Sequence, residues 1–349
     1  MLVPRTAVRG GELLFPLKSD LMSAGRNLHI DLIKIVAMLL VIMYHTPADG
    51  VAYPFSFNLV SFCDHAACVP IPLFFMVCGY LLVPREGLGY GYVLRKTWHV
   101  VRFILAFLVV YELLFICVNG YADVPLLLEC TWQSMIPRTH FGFLWFFGAL
   151  VILYWLLPLV SWLYHRSEKG FAWFVLGLVV LNQVVFCNDL LNGLPSDSIA
   201  MPLRQYEWVL YASLGALVYR YRDQLHLGAV PALLMWFVAD KFLRVLSPPL
   251  PTYIDMAYPA LPVIASTAML FVWLLHCKLP SPRLVKALNP TFLLVYVWHT
   301  TVLDFLSGWL RDSFAFRSYP LTFVMAAVLT VTGAWLLVKI PAVARFCKL

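Results

Sequence analysis

The sequence predicts an all-α protein that crosses a membrane about ten times, with both termini on the cytoplasmic side. Three observations lead there. Of 349 residues, 62% are hydrophobic and only 12% are charged, about half the charged share of soluble domains. Apolar runs near the length of about 20 residues that spans a bilayer recur along the whole chain. The basic residues divide unevenly between alternate connections, as the positive-inside rule requires. In a membrane protein the net charge of +7 reports topology rather than an affinity for nucleic acid.

In order, the apolar runs cover 31–48, 68–84, 100–118, 143–164, 171–187, 205–220, 227–246, 256–276, 290–307 and 319–340. Pro158, Pro231, Pro259 and Pro262 fall within them, and membrane helices accept proline where neighbours satisfy the freed carbonyls. With the N-terminus inside, 19 of the 25 Lys and Arg residues lie on the inner side and 6 on the outer side. Removing one span would invert every later loop and destroy that bias. Residues 1–27 form a polar preface of uncertain structure, with Met22 as a plausible alternative start, and 28–349 form one transmembrane domain. The opening "RTAVRGGELLFPLKSD" is too broken for a cleavable signal peptide.

The first run, "DLIKIVAMLLVIMYH", holds Asp31, Lys34 and His45. A charge at the bilayer centre costs about 2.5–3.5 kcal/mol or more, so such groups face an interior or a pathway. At 100° per residue, Lys34 and His45 lie about 20° apart around the axis and about 16 Å apart along it, and Asp31 shares their stripe. The ninth run, "NPTFLLVYVWHTTVLDF", carries His299 about 13 Å from its inner end, with Tyr296 and Thr300 beside it. Two spans thus bring a histidine to comparable depth. Neutral histidine is the usual general base near pH 7; the plainer alternative is that each satisfies a neighbouring polar group inside the bundle.

Further groups carry weaker signals. "RKTWHVVRF", as the inner loop and start of the third span, gathers Arg95, Lys96, His99 and Arg102. Guanidinium groups grip phosphate, but topology alone also places cations there. Glu112 lies deep in the third span with no partner evident from the sequence. Asp240 and Arg244 fit a neutralising i,i+4 pair. His140 heads "HFGFLWFFGALVILYWLLPL", whose aromatics suit an interfacial belt. The eight cysteines show no metal-ligand spacing, so no metal is expected, and Cys63, Cys68 and Cys130 fall outside, where a disulfide could form.

Four blocks in order, "DLIKIVAMLLVIMYH", "PLFFMVCGYLL", "HFGFLWFFGALVILYWLLPL" and "FLLVYVWHTTV", resemble those of the acyltransferase 3 family, nearest to its short, stand-alone members that acetylate enterobacterial surface polysaccharide. The resemblance implies a multi-pass protein of the bacterial inner membrane. It implies transfer of an acyl group, most often acetyl, from cytoplasmic acetyl-coenzyme A as co-substrate to a hydroxyl of a cell-envelope polysaccharide or its lipid-linked precursor. On the matching first-helix signature it implies catalysis by His45 and a donor role for Lys34; from their own positions Arg95, Lys96 and Arg102 join the donor candidates and His299 is the second catalytic candidate. Asp31, Glu112, Tyr296 and His140 are supporting candidates. The sequence departs from the pattern in two places: His99 and Arg102 stand where two arginines are usual, and Cys78 where serine is common. The rival class is a transporter or flippase of a sugar intermediate that uses the same histidines as a proton relay; the lack of half-to-half symmetry weighs against it.

Reporter fusions after Arg345 are expected to show cytoplasmic activity, and fusions near Cys130 or Asp312 periplasmic activity. A periplasmic C-terminus would overturn the ten-span arrangement.

Overall fold

The computed structural model describes residues 27–46, 68–133, 141–192, 199–246, 257–314 and 319–347, and these residues are helical with short connections and no strand. Helix α1 (Leu28–His45) starts on Asn27, whose side chain accepts the backbone N–H groups of His29 and Ile30, satisfying donors that a helix start otherwise leaves open. Helix α2 (Pro70–Leu82) begins on prolines, which lose nothing where no N–H is required. Helix α3 (Tyr90–Asn119) ends at Gly120, whose φ of 78° is the left-handed cap that glycine adopts without a steric penalty. Helices α4 (Val124–Gln133), α5 (Trp145–Arg166), α6 (Glu168–Asn192), α7 (Gln205–Tyr221) and α8 (Ala229–Leu246) follow. The chain closes with α9 (Leu261–His276), α10 (Pro282–Leu288), α11 (Phe292–Phe314), α12 (Tyr319–Leu337) and α13 (Pro341–Phe346).

Each of the ten apolar runs coincides with a helix: α1, α2, α3, α5 to α9, α11 and α12. Six helical stretches among the described residues are long and apolar enough to cross a membrane on their own. Helices α2 and α9 are apolar but shorter. At 13 residues, α2 reaches only about 20 Å, less than the hydrocarbon thickness of about 30 Å. It is buried along almost its whole length, so the bundle rather than lipid surrounds it. The third span begins ten residues earlier than its apolar run: the segment expected to include an inner loop, Arg95 to Arg102, is continuous helix. Asp240 lies 3.9 Å from Lys241 Nζ, while the side chain of Arg244, residues 1–26, His140 and Cys63 lie outside the described residues.

Hydrogen bonds between helices sort their ends into two groups, as alternate crossings demand. At one end the His29 ring meets the Leu274 carbonyl, His276 Nε2 meets the Arg222 carbonyl, and Ser161 Oγ donates to the Val83 carbonyl. At the other end Tyr319 Oη donates to Met43 O, Gln183 is bonded to Pro259 and Leu261, and Tyr211 Oη donates to Tyr258 O. The bias of basic residues makes the first group the cytoplasmic end.

Among the described glycines, the closest backbone approach is between α2 and α7. A Cβ on Gly79 would stand 1.7 Å from the Ala212 carbonyl oxygen, and one on Gly215 would stand 2.0 Å from that of Met76. Small residues let membrane helices approach backbone to backbone, and here Phe75 stacks on Trp208 beside the contact. Neither carbonyl can swing away as a side chain could. Gly79→Ala and Gly215→Ala are each expected to cost about 3 kcal/mol or more, the upper range for overpacking, read as a lowered midpoint of thermal unfolding in detergent. Gly177→Ala, where a Cβ meets nothing within 4 Å, should leave that midpoint unchanged.

Candidate active site

Helix α1 carries the stripe foreseen in the sequence. Asp31 is buried at its inner end, 3.9 Å from Lys34 Nζ. Met38 and Val41 continue the stripe in the interior, and His45 closes it, half-buried, at the outer end. Helix α11 starts from the 3-10 turn Asn289–Thr291 and brings His299, with no exposed surface, to the same depth.

The two histidines are in direct contact. His299 Nε2 lies 3.3 Å from His45 Nδ1, and the rings meet edge to face with centroids 4.8 Å apart. Their backbone partners assign the protons. His45 Nδ1 faces the Val41 carbonyl at 3.0 Å and His299 Nδ1 faces the Tyr296 carbonyl at 2.6 Å. A carbonyl only accepts, so each Nδ1 bears hydrogen and His299 Nε2 is left as an acceptor. His45 Nδ1–H is therefore shared between Val41 O and His299 Nε2, and His45 Nε2 keeps its lone pair. This is the order of a base held by an orienting acceptor.

The surrounding shell is aromatic and locked. Tyr296 Oη donates to the Phe143 carbonyl at 2.9 Å, and the Phe143 ring lies 5.9 Å from His299. Tyr44 flanks His45 at 4.7 Å. The "HFGFLW" block thus contributes through Phe143 of the turn Gly142–Leu144. Asp304, exposed on α11, lies within electrostatic reach of His45. Sequence reading passed over it, although it was visible as the one carboxylate within the ninth apolar run.

A second group forms at the inner end. Lys34 and Lys96 both act electrostatically on the Cys78 thiol, and Lys96 also feels Arg85 and Lys34. Arg85 Nη1 donates to Tyr92 Oη at 3.3 Å, and Lys96 Nζ stands 5.8 Å from the Tyr92 ring centre. Helices α1, α2 and α3 and the turn after α2 therefore gather Lys34, Lys96 and Arg85 around Cys78 and Tyr92. Arg85 was counted only as a topology signal; its position immediately after the second apolar run was the available clue. Like charges so placed repel, and an anion among them relieves the repulsion.

The other candidates lie elsewhere. Arg102 is six residues from Lys96 and so about 120° away around α3; its guanidinium lies over the Phe346 ring of α13 at 5.9 Å. Arg95 is exposed, its carbonyl engaged by His99 Nδ1. Glu112 accepts the Asp123 backbone N–H at 2.9 Å, so its partner is the turn leading into α4. The sequence also left unnoticed a buried ion pair at the outer end of α7. There Arg204 Nη2 donates to Glu207 Oε1, both side chains at most 1% exposed. The "RQYE" spacing of three residues was its only signal. No group of three His, Cys, Asp or Glu side chains among the described residues converges as a metal site.

No curated protein and no solved structure matches the chain significantly. A family profile described as an acyltransferase domain does, over residues 27–339. That span holds the histidine pair, the inner cations and all ten apolar helices, and the chain belongs to the acyltransferase 3 family of membrane-bound acyltransferases.

Proposed function

We propose that the protein is an O-acyltransferase that moves an acyl group, acetyl in the first instance, from cytoplasmic acyl-coenzyme A to a hydroxyl of an envelope polysaccharide or its lipid-linked precursor, in the inner membrane of a bacterium. The observation that carries this reading is the His45–His299 contact, which leaves His45 Nε2 as a lone-pair nitrogen at the outer end of a stripe that starts at Lys34. The phosphates of the donor sit among Lys34, Lys96 and Arg85, and its pantetheine arm runs along α1 for the about 16 Å between Lys34 and His45. His45 Nε2 removes the proton of the acceptor hydroxyl as its oxygen forms the new ester bond to the acyl carbon. The carbon–sulfur bond breaks, and the leaving coenzyme A thiolate takes up the proton that His45 Nε2 removed, which returns His45 to its neutral form. His299 Nε2 accepts from His45 Nδ1–H throughout, so the imidazolium formed in the step stays aligned. General-base help of this kind supplies about 10²–10⁴-fold in rate.

His45→Ala is expected to abolish coenzyme A release by purified protein given acetyl-coenzyme A and glycan acceptor, with expression and insertion unchanged. Near-normal turnover would refute the mechanism. His299 is a positioning residue, so His299→Gln, whose amide oxygen still accepts, should keep more of kcat than His299→Leu. Equal losses in the two variants would remove that role.

The cations generate a separate expectation. Loss of a charge-assisted hydrogen bond costs about 1.5–3 kcal/mol, hence roughly ten- to a hundredfold. Lys34→Ala and Lys96→Ala should each raise KM for the acyl donor by that factor while lowering kcat less, and Lys34→Arg should retain much of the activity. Unchanged donor kinetics in the double alanine variant would return these lysines to topology alone.

A further inference from the structure

Between α3, α11 and α12, with α13 across its inner end, lies a cavity of about 660 Å³. Its walls are apolar side chains, among them Phe103, Phe107, Trp298 and Leu337. The one hydroxyl in the lining, Thr330, is turned back onto the Ala326 carbonyl at 2.6 Å. The α3 wall runs from Phe103 to Leu114, about 16 Å along the axis, from the cytoplasmic end toward mid-membrane. The volume holds about twenty groups the size of a water molecule, while the lining is apolar except for the engaged Thr330 hydroxyl, the Trp298 indole and the Cys347 thiol.

The inner rim is cationic. Arg102 precedes Ala106 and Val110 on the same stripe of α3, so the line that forms the cavity wall begins with its guanidinium, set over Phe346 of the cavity floor. Arg345, next to Phe346, is exposed at the same end. On α3 the Arg102 charge stands about 120° around the axis from Lys96, on the face that carries the cavity wall. A transmembrane helix of a partner does not fit the cavity. Such a helix is about 10 Å wide and must leave through both faces, whereas Ala342, Val343, Phe346 and Cys347 close the inner end.

We infer that this cavity is a lipid site that holds one hydrocarbon chain of an anionic phospholipid from the cytoplasmic leaflet, with the lipid phosphate on Arg102. The chain enters sideways from the bilayer and fills the space with van der Waals contacts that an empty cavity lacks. The phosphate accepts hydrogen bonds from a guanidinium suited to that geometry. The cavity also backs onto the catalytic pair. Trp298 precedes His299, and Phe107 touches Trp298 at 5.3 Å and Phe143 at 6.0 Å, so the bound chain packs behind the aromatic wall that holds His299.

The test uses full-length protein in liposomes containing phosphatidylglycerol with a diazirine at the tail end, with crosslinked peptides mapped by mass spectrometry. Labelling is expected to concentrate on α3, α11 and α12 at cavity residues. Gly333→Leu fills the cavity without a clash, because a Cβ at Gly333 meets nothing within 4 Å, and should lower that labelling at least fivefold. Arg102→Glu should lower it by a similar factor while leaving the thermal midpoint in place. Labelling spread evenly over all lipid-facing helices, or unaffected by Gly333→Leu, would overturn the site. Equal labelling by a phosphatidylcholine probe would overturn the choice of an anionic lipid, and no response to Arg102→Glu would overturn the assignment of the phosphate to Arg102. None of these readouts depends on acyl transfer, so failure here and failure of the proposed activity are separable.

Discussion

Hydrocarbon cannot solvate an ionisable or hydrogen-bonding group, so a charged or titratable side chain inside this bundle is stable where it meets a partner. The architecture follows from where those partners are. Lys34 and Asp31 lie on one stripe of α1 with His45, and only one rotation of α1 keeps all three out of lipid. That rotation aims His45 at α11, where His299 Nε2 has been freed by the bond from Nδ1 to the Tyr296 carbonyl. Glu112 and Arg204 obey the same rule, one through the Asp123 N–H and the other through Glu207. Without the histidine contact, two polar rings would face apolar walls, and α1 and α11 would lose the interaction that sets their register.

The same constraint separates the two ends of the machine. Cations collect at the cytoplasmic end, where water and headgroups share the cost of bringing them together, and neutral imidazoles stand deeper, where a permanent charge would be expensive. Helix α2 makes this compact. It is shorter than the bilayer, and its glycine contact with α7 draws two backbones together, while its Cys78 lies within electrostatic reach of Lys34 and Lys96. A long donor with an anionic head and a reactive end suits that division: the head needs charge at the surface and the thioester needs a dry base at depth.

Much of this was legible in the sequence because it depends on local periodicity. The eleven-residue spacing of Lys34 and His45 specifies one face of one helix, and the depth of His299 follows from counting residues from Pro290. The ten apolar runs all became helices for the same reason. What was hidden depended on phase or on distant partners. Arg95, Lys96 and Arg102 look like one cluster while their segment is taken as a loop. Once α3 begins at Tyr90, Lys96 turns to α1 and α2 while Arg102 turns to α13. Glu112 found a backbone N–H eleven residues away, which no side-chain pattern announces. Glu207 was concealed by its neighbour Arg204, which charge asymmetry had assigned to an outer loop, whereas the pair is fully enclosed.

Phase also explains why the third helix serves two purposes. An α-helix displays faces about 100° apart at each step, so a single basic stretch of seven or eight residues points in every direction. Lys96 and Arg102 sit on different faces, and each face continues upward into different surroundings. Above Lys96 are α1 and α2, with the stripe that runs through Met38 and Val41 to His45. Above Arg102 is an unbroken apolar wall. Cations set in such different surroundings suit different anions, the first the proposed acyl donor and the second the proposed lipid. The aromatic residues between the two faces, Phe107, Phe143 and Trp298, keep the paths apart while touching both. Helix α3 is thus the partition of the molecule, and the rotation that places Lys96 beside Lys34 also fixes what Arg102 can hold.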